Sequence, residues 1–530
     1  MRKTLKEKTT KFYLNGEVLL MKVKFLVFIL AFMLFLCSSC NYDYKIDNNK
    51  LLYGSIVNNN YEAAKEAVKN GADVNNIGYF NEKTSFSSND TNPTAIALSL
   101  DREKIAEYLV RKGSNPNYGY LPVCVLNYND YGFINFLLDQ GADINYTNYA
   151  GEYKGETALN NLLKTDDMQD CNVFGYIKMF DYLVKKGADY KSFLSNFDIS
   201  SLKDYCVIKH INEFKVKNHI KSKDRKALDI IIEKDEKGFK KLLKNNKDKR
   251  IPFFTVAYGN YNMVKYICQT KDLNQIKDNY GNSLLFAATV NSDIRIAEYL
   301  MRNIKININL KNNDDYNVLS YALALGKENY AKLYLKNGGI IQFEKFSDDE
   351  NDSLVFAVLN NQYKSVRFLI KNGYPVKNEE LVFNAVKYAI DCDNVSMLRF
   401  FIENDICSID IESDSENLLS YASYNDSAKC AEYLIYNKAP FKYFPLHSSI
   451  ENHNYELTKK LLKISDDINE ENEESYTPLM KAVSVGDMDI IRLLVKNGAD
   501  ISHKNRKGEN AYDLAEKSLS KNIKSYFSNM

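Results

Sequence analysis

The sequence predicts an all-α solenoid of about thirteen helix-turn-helix units joined by short β-hairpin-like turns. A motif made of an apolar helix end, Gly-Ala-Asp or a worn copy of it, and then Ile or Val and Asn recurs, as at residues 68–75, 138–145 and 495–501. Several successive copies lie about 33 residues apart, and a fixed period is typical of stacked repeats. The 530 residues are too many for one hydrophobic core. Because a stack offers an extended surface, the pattern favours binding over catalysis.

The unit at residues 92–117 illustrates how each repeat is built. Asn92 suits the N-cap of a first helix, and Pro93 suits its first turn, where the amide needs no partner. A second, amphipathic helix follows, and Gly113 supplies the left-handed residue that ends it. Neither helix is long enough to be stable alone, so each unit requires neighbours.

The same pair of helices is predicted along the chain. Its second helices are expected to end near Lys69, Lys112, Gln140, Lys186, Lys244, Gln269, Arg302, Lys336, Lys371, Glu403, Tyr436, Lys463 and Lys496. A last pair begins at residues 510–515, and residues 517–524 are polar enough to form a cap that faces solvent.

Residues 477–482, Thr-Pro-Leu-Met-Lys-Ala, resemble the Thr-Pro-Leu-His-x-Ala box of ankyrin repeats, with Met480 in place of the histidine. Residues 282–288 carry a worn copy of this box, and residues 445–447 keep the histidine. The chain therefore resembles the ankyrin repeat family over about residues 50–530. This resemblance implies that hairpin tips and first helices line a concave surface that contacts partner proteins.

Five segments are predicted. They are a leader and lipoprotein-type signal peptide at 1–40, a polar tether at 41–50, N-terminal ankyrin-like repeats at 51–189, a degenerate repeat or junction at 190–224, and C-terminal repeats with a capping helix at 225–530. The fourth segment has helical periodicity but no cap residues, so it is either a decayed repeat or the junction between two stacks. We expect one continuous superhelix with a local irregularity at this segment.

The amino terminus has the order of a secretory signal. Residues 21–24 are basic, residues 25–36 are apolar, and two serines precede Cys40. About a dozen apolar residues are few for a membrane span, which takes roughly 20. The segment resembles a bacterial lipoprotein signal, in which the acceptor cysteine, in this chain Cys40, is lipidated and becomes the first mature residue. Met21 makes a better start than Met1, so residues 1–20 are either the product of a mis-assigned start codon or an unusually long leader. The alternative to a signal is a buried amphipathic or anchoring helix.

Composition and charge argue against several classes of protein. The chain has 70 Lys and Arg against 69 Asp and Glu, so its net charge of +1 gives no electrostatic case for nucleic acid as a partner. Its nine cysteines are scattered, and beyond Cys37 and Cys40 they form no C-x-x-C pair. Neither a disulfide framework nor a zinc site is therefore expected.

No catalytic or metal site is predicted, and no cofactor is expected. His447 and His453 are six residues apart, which does not place them on one helical face. The acidic residues 410–416 lack the central Gly and the final Glu of a calcium loop, so they are predicted to form a solvated hairpin. The phosphate-binding, nucleophile-elbow and zinc-protease motifs do not occur in the sequence.

Aromatic residues at the hairpin tips are the candidate partner contacts. They are Tyr146, Tyr149, Tyr280, Tyr316 and Tyr476. An exposed Tyr offers a large contact area at low entropic cost and is enriched at binding hot spots. The alternative is that these rings pack on neighbouring repeats.

These features predict a non-enzymatic scaffold for protein–protein interaction, exported and held at the bacterial cell envelope by a lipid on Cys40. Its partners would be one or more proteins. One alternative is a cytoplasmic or secreted effector that binds host proteins, and another is an envelope inhibitor or immunity protein. A further alternative is an enzyme hidden in residues 190–224, although about 35 residues are few for an independent catalytic domain.

Overall fold

The structure, a computed structural model, describes residues 47–76, 92–100, 102–117, 131–147, 157–164, 173–191, 194, 204–218, 227–245, 248–343, 352–413 and 415–530. In these ranges the chain forms 28 helices and one two-stranded sheet. Most helices follow one another in pairs, in which a short first helix precedes a second one of about nine residues. This arrangement confirms the predicted all-α solenoid class.

The helices are numbered in chain order. Helices α1 to α8 span Asn48–Val57, Tyr61–Lys69, Pro93–Ser99, Glu103–Arg111, Tyr131–Asp139, Ala158–Lys164, Val173–Lys185 and Tyr205–Lys217. Helices α9 to α18 span Ala227–Ile232, Glu236–Asn245, Ile251–Tyr258, Tyr261–Thr270, Leu284–Val290, Arg295–Asn303, Val318–Ala324, Glu328–Lys336, Ser353–Leu359 and Tyr363–Lys371.

The remaining elements include the two strands. Helices α19 and α20 span Glu379–Asp391 and Val395–Glu403, and strands β1 and β2 span Glu412–Ser413 and Glu416–Asn417. Helices α21 to α28 span Leu418–Tyr424, Ala428–Tyr436, Pro445–Glu451, Tyr455–Leu461, Pro478–Val485, Met488–Lys496, Ala511–Lys517 and Lys521–Ser528.

The predicted helix ends are confirmed. Each of the thirteen predicted ends of a second helix lies within two residues of an observed one. At the end of α4, Gly113 has a φ of 99°, and at the end of α7, Gly187 has a φ of 98°. A side chain with a Cβ is disfavoured in this left-handed region, which is why Gly marks these ends in the sequence.

Helices α3 and α4 form the pair expected from their sequence. The Asn92 side chain accepts a hydrogen bond from the amide of Ala95 at 2.9 Å, and Pro93 occupies the first turn of α3. Helix α4 buries Ile105 and Leu109 completely and turns its charged residues outward. Burial of each such side chain contributes about 1.5–3 kcal/mol, so stacking stabilises helices that are too short to persist alone.

The last residue of the recurrent motif ties neighbouring repeats together. The Asn145 side chain donates to the carbonyl of Gly187 at 3.0 Å and accepts from the amide of Asp189 at 2.6 Å. Asn75 and Asn309 make the same two bonds to the repeats that follow them. The motif therefore recurs because each copy satisfies backbone groups of the next turn, which would otherwise lack protein partners.

The acidic residues 410–416 were predicted to form a solvated hairpin, and their backbone confirms it. Strands β1 and β2 pair antiparallel, with Glu412 opposite Asn417. Ser415 takes a φ of 63° in the turn between them. Glu412 is exposed and accepts a hydrogen bond from the Lys442 ammonium group at 2.9 Å.

The described residues form two compact units. The first unit combines helices α1 to α4, before Asn115, with helices α25 to α28, after Glu473. The second unit contains the intervening helices, α5 to α24. This grouping differs from the segments predicted from the sequence, because the first and last repeats contact each other within one unit.

Two buried glutamates of α2 bind the last repeat within the first unit. Glu66 is 7% exposed and accepts hydrogen bonds from the Ser520 hydroxyl and from the amides of Lys521 and Asn522, at 2.5, 2.8 and 2.7 Å. Its carboxylate thereby caps the N-terminus of α28, where negative charge is favourable. Glu62 accepts from the side chain of Asn522 at 3.0 Å.

A partly buried ion pair adds to this contact. The Lys104 ammonium group of α4 lies 2.7 Å from the carboxylate of Asp487, which caps α26 and is 1% exposed. The same ammonium group lies 4.7 Å from the centroid of the Tyr61 ring. Burial, and after it the charge of Asp487, raises the pKa of Tyr61 to about 12. Removing Lys104 would leave the buried Asp487 carboxylate with only its backbone hydrogen bonds to the amides of Asp489 and Ile490.

Two segment ends differ from the sequence-based expectation. Helix α1 begins at Asn48, inside the predicted tether at 41–50, because the Asp47 carboxylate caps its first turn. The terminal pair is more than a cap that faces solvent, since Ser520 and Phe527 are almost completely buried.

Candidate binding surfaces

The structure places four of the five candidate tyrosines, and Tyr149 lies outside the described residues. Tyr146, Tyr280 and Tyr476 are half-buried, whereas Tyr316 is 7% exposed. Each lies in a different inter-repeat turn, so they form a series of separate positions along the repeats.

Tyr316 packs into the aromatic core of the second unit. Its ring centroid lies 5.1 Å from that of Phe356 and 5.9 Å from that of Phe286, and it stacks on Tyr321 at 6.2 Å. The alternative in which the ring packs on neighbouring repeats therefore describes Tyr316, whose ring has little surface left for a partner.

The other three tyrosines are half-buried, and backbone hydrogen bonds hold two of them in their turns. The Tyr280 carbonyl accepts from the amide of Asn313 at 2.9 Å, and the Tyr146 amide donates to the carbonyl of Asp143 at 2.9 Å. Burial, and after it the charge of Glu509, raises the pKa of Tyr476. Their role in partner contact stays a prediction.

Two other tyrosines are more exposed than the predicted contacts. Tyr424 at the end of α21 is 65% exposed, and Tyr436 at the end of α22 is 85% exposed. The sequence analysis missed them because it considered only hairpin tips. Both could have been found in the sequence, because each is a Tyr directly before the Asn that caps the end of its helix.

The first helices of three successive repeats in the second unit are buried on all sides. Helices α11, α13 and α15 contain no charged residue, and every residue in them is buried. A helix that is apolar all round requires cover on more than its core-facing side. Something must therefore lie against their inner face.

That cover begins at Asp204 and continues into α8. The Tyr321 hydroxyl donates to the carboxylate of Asp204 at 2.7 Å, and the Tyr258 hydroxyl donates to the carbonyl of Tyr205 at 2.8 Å. The Tyr205 hydroxyl donates to the carboxylate of Asp278 at 2.7 Å. These bonds join the start of α8 to three successive repeats.

Helix α8 also packs on the preceding repeat. The rings of Phe180 in α7 and Phe214 in α8 meet edge to face with centroids 5.2 Å apart. His210 of α8 lies 2.9 Å from the carboxylate of Asp181. The chain itself thus occupies this stretch of the inner face, which the ankyrin resemblance assigns to partners.

The cluster around Asp204 is nearly closed to solvent. Burial raises the pKa of Tyr205, Tyr258 and Tyr321 well above the usual value. A cavity of about 10 Å³ lies beside these residues and is also lined by Asn282. It has room for roughly one water molecule.

A larger open cleft lies among the described residues of each unit. The cleft in the second unit measures about 280 Å³ and is lined by Tyr131, Lys178 and Tyr388 among others. The cleft in the first unit measures about 300 Å³ and includes Lys65 and Arg492. Both lie near the lower limit for small-molecule sites, roughly 300 Å³, so their size suits a side chain of a partner.

Two of the histidines are buried. His447 and His453 are 4% and 6% exposed, and the His447 ring meets that of Phe444 edge to face at 5.7 Å. In the part of the chain that the structure describes, no group of three or more His, Cys, Asp or Glu could hold a metal ion. Within the same ranges, no helix has the length and apolar character needed to cross a membrane. Cys40 lies outside them.

A strongly basic surface follows the second helices of the second unit. Helices α10, α12, α14, α16, α18 and α20 together carry four Glu and thirteen Lys or Arg. We call the exposed side of these helices the outer basic face. Its cations are Lys237, Lys240, Lys241, Lys244, Lys265, Arg295, Arg302, Lys332, Lys336, Lys364, Arg367, Lys371 and Arg399.

Most of these cations form no ion pair. Arg295 lies 2.7 Å from the carboxylate of Asp293, Lys332 pairs with Glu328, and Arg399 lies 3.8 Å from Glu403. The other ten form no ion pair with any described residue. The sequence analysis missed this face because it averaged charge over the whole chain. The available signal was the excess of Lys and Arg over Glu within the second helices alone.

The comparison with protein families agrees with the fold. Residues 219–312, 354–443 and 446–525 match the family described as ankyrin repeats (3 copies). The chain carries ankyrin repeats. The resemblance drawn from the box at residues 477–482 is thereby confirmed, and the match includes the middle repeats, where the motif is worn.

The chain is similar to parts of three other proteins, and the first two are longer than this chain. Transient receptor potential cation channel subfamily A member 1 of Homo sapiens is 24% identical over 221 residues, which cover 38% of this chain and 20% of that protein. Alpha-latrocrustotoxin-Lt1a of Latrodectus tredecimguttatus is 23% identical over 280 residues, which cover 50% of this chain and 18% of the toxin.

The third relative is an ankyrin repeat protein of Acanthamoeba polyphaga mimivirus. It is 32% identical over 137 residues, which cover 24% of this chain and 38% of that protein. The chain therefore spans about a fifth of the length of the first two relatives and under two fifths of the third. None of the three names describes an enzyme.

Proposed function

We propose that this protein is a non-enzymatic scaffold whose ankyrin array binds one or more other proteins. The recognised repeats are the observation that carries this proposal, because stacked repeats present extended surfaces for protein contact. The covered inner face at α11, α13 and α15 directs partners to surfaces that remain accessible. These are the half-exposed hairpin tips and the two open clefts.

We further propose that the scaffold is held at the bacterial cell envelope by a lipid on Cys40. The support is the basic, apolar and small-residue order of residues 21–40. The array would then search for partners near the membrane surface. A single acyl chain anchors only marginally, so stable attachment takes several chains or a second membrane contact.

Fatty-acid labelling tests the anchor. The full chain and its Cys40→Ala variant are labelled in the producing cell, and the membrane and soluble fractions are compared. We expect label and membrane retention in the native chain and loss of both in the variant. An unlabelled, soluble native chain would overturn the envelope proposal and favour the effector alternative.

Crosslinking of the full chain in cells, followed by identification of captured proteins, tests binding. We expect a reproducible partner whose yield falls when Tyr146, Tyr280 and Tyr476 are all replaced by Ser. A matched variant carries Tyr424→Ser and Tyr436→Ser. If only the matched variant loses the partner, the prediction that the tips are the contacts is wrong. If neither native nor variant chains capture a partner, the scaffold proposal fails.

A further inference from the structure

The outer basic face concentrates charge that the whole chain does not have. The chain as a whole has a net charge of +1. The six helices of the outer basic face together carry nine more Lys and Arg than Glu. Ten of the cations form no ion pair with a described residue. An excess of this size in one area attracts counterions or an anionic surface.

Contacts between neighbouring helices join this face in two runs, α10 to α14 and α16 to α20. The ring of Phe239 in α10 lies 6.5 Å from that of Tyr266 in α12, and the Tyr261 ring of α12 lies 5.6 Å from that of Tyr299 in α14. The rings of Tyr363 in α18 and Phe400 in α20 are 5.1 Å apart. Helices α16 and α18 are also in contact.

The size of the face can be estimated from helix geometry. Packed helices lie about 8–10 Å apart, so six of them extend over roughly 45 Å. A helix of nine residues is about 14 Å long. The cations are thus spread over an elongated area and are not gathered in a pocket, which suits an extended polyanion better than a small anion.

We propose that the outer basic face docks on an anionic phospholipid surface. Eight of the ten cations outside ion pairs are Lys, which is depleted at protein–protein interfaces, whereas Arg is enriched. Clusters of Lys and Arg bind anionic lipid headgroups by adding small contributions from each charge. The inference rests on the proposed envelope location, because the face would supply the second contact that strengthens a lipid anchor.

The aromatic residues on this face favour a membrane over a single-stranded nucleic acid. Rings such as Tyr261, Tyr299 and Tyr363 meet their neighbours edge to face and are half-buried. Their faces are therefore not free to stack on successive bases.

Vesicle sedimentation tests the proposal. The full chain carrying Cys40→Ala is used, so that binding does not depend on the lipid anchor. Vesicles of equal parts phosphatidylglycerol and phosphatidylcholine are compared with vesicles of phosphatidylcholine alone. Any membrane binding by the apolar residues 25–36 would be common to both, so the difference reports the effect of lipid charge. We expect at least about tenfold stronger partitioning to the anionic vesicles, reduced by salt.

Two sets of substitutions locate the contact. The first set is Lys237→Gln, Lys241→Gln, Lys244→Gln and Lys265→Gln, and the second is Arg302→Gln, Lys336→Gln, Lys364→Gln and Lys371→Gln. The matched control replaces Lys69, Lys496, Lys504 and Lys507 of the first unit by Gln, which removes the same charge. Circular dichroism confirms folding. We expect each face set to lose about tenfold in partitioning and the control to lose less than about twofold.

Several outcomes would overturn the proposal. Equal partitioning to anionic and neutral vesicles would do so, as would an equal loss in the control and in both face sets. Binding of a mixed-sequence oligonucleotide in preference to the vesicles, lost in the face sets, would assign the face to nucleic acid. Failure of fatty-acid labelling with vesicle binding intact would overturn the Cys40 anchor alone, so the two proposals fail separately.

Discussion

At the scale of residues, two worn copies of the motif keep its final Asn although they have lost Gly-Ala-Asp. Asn309 stands in a worn copy, and it still bonds to the carbonyl of Gly338 at 2.8 Å and the amide of Ile340 at 2.8 Å. Asn274, in another worn copy, accepts from the amide of Lys305 at 2.9 Å. The amide side chain is suited to this position because it offers a donor and an acceptor at once.

Replacement of Asn309 by Ala should therefore destabilise the second unit by about 1–2 kcal/mol, because two bonds between repeats are lost. Urea unfolding monitored by circular dichroism measures the change. Asn303→Ala is the matched control, since the Asn303 side chain makes one local bond to the carbonyl of Tyr299. We expect a smaller effect for Asn303, and equal effects would contradict the bridging role.

The same residues show why the tip tyrosines were harder to interpret. Tyr316 and Tyr280 occupy similar turns in the sequence, yet only Tyr316 lies against Phe286 and Phe356. Whether a tip ring is buried depends on which side chains the next repeat presents. The chain around the ring does not contain this information.

At the scale of elements, α8 combines two roles. It packs on α7 and it covers the inner face of α11, α13 and α15 through the bonds of Asp204 and Tyr205. The periodicity of the segment at 190–224 predicted helical structure, and a helix is present at Tyr205–Lys217. Its packing partner α13 begins more than 60 residues later, so local pattern could not reveal the covering role.

The buried tyrosines of this cluster should make the second unit sensitive to alkali. Their pKa is raised in the folded state, whereas unfolded Tyr titrates near about 10. Below that pH both states are neutral. Above it the unfolded chain loses protons first, so the free energy of unfolding should fall as pH rises beyond about 10.

Thermal unfolding between neutral pH and about pH 11 measures this loss. Tyr321→Phe should flatten the alkaline decline and, at neutral pH, cost about 1–3 kcal/mol because Asp204 loses a buried donor. Tyr436→Phe is the control, since Tyr436 is 85% exposed. An alkaline decline that is the same in the native and Tyr321→Phe chains would contradict the assignment.

At the scale of the whole molecule, the two ends of the chain fold together. The first and last repeats share the first unit, which is joined by Glu66, Glu62 and the Lys104–Asp487 pair. Synthesis of this unit is complete only when residues more than 400 positions apart have both been made. The first repeats should therefore gain their full stability late.

A substitution in the first repeats should also destabilise the last repeats of the first unit. Glu66→Ala should destabilise the first unit by about 3 kcal/mol. The substitution removes the buried carboxylate that accepts hydrogen bonds from the start of α28. Hydrogen exchange should quicken in both α1–α2 and α27–α28. Glu107→Ala, which alters a half-exposed carboxylate of α4, is the control. If exchange quickened in α2 alone, the two ends would not fold as one unit.

The helix pairs were predictable from the sequence because their determinants are local. Asn92 and Pro93 start a helix through their own backbone, and Gly113 ends one because of its own φ. Apolar spacing of three and four residues marks the buried side of each helix. Because of these local signals, every predicted end of a second helix lies within two residues of the observed helix end.

The sequence by itself thus determined the repeat, its period and the ankyrin character of the array. The tertiary structure decided which surfaces remain open: it buries Glu66 under the last repeat, covers the inner face with α8, and gathers Lys237 and Lys371 on one outer face. The physical reason is distance along the chain. Capping and periodicity act within a few residues, whereas burial and charge accumulation depend on residues brought together from many repeats.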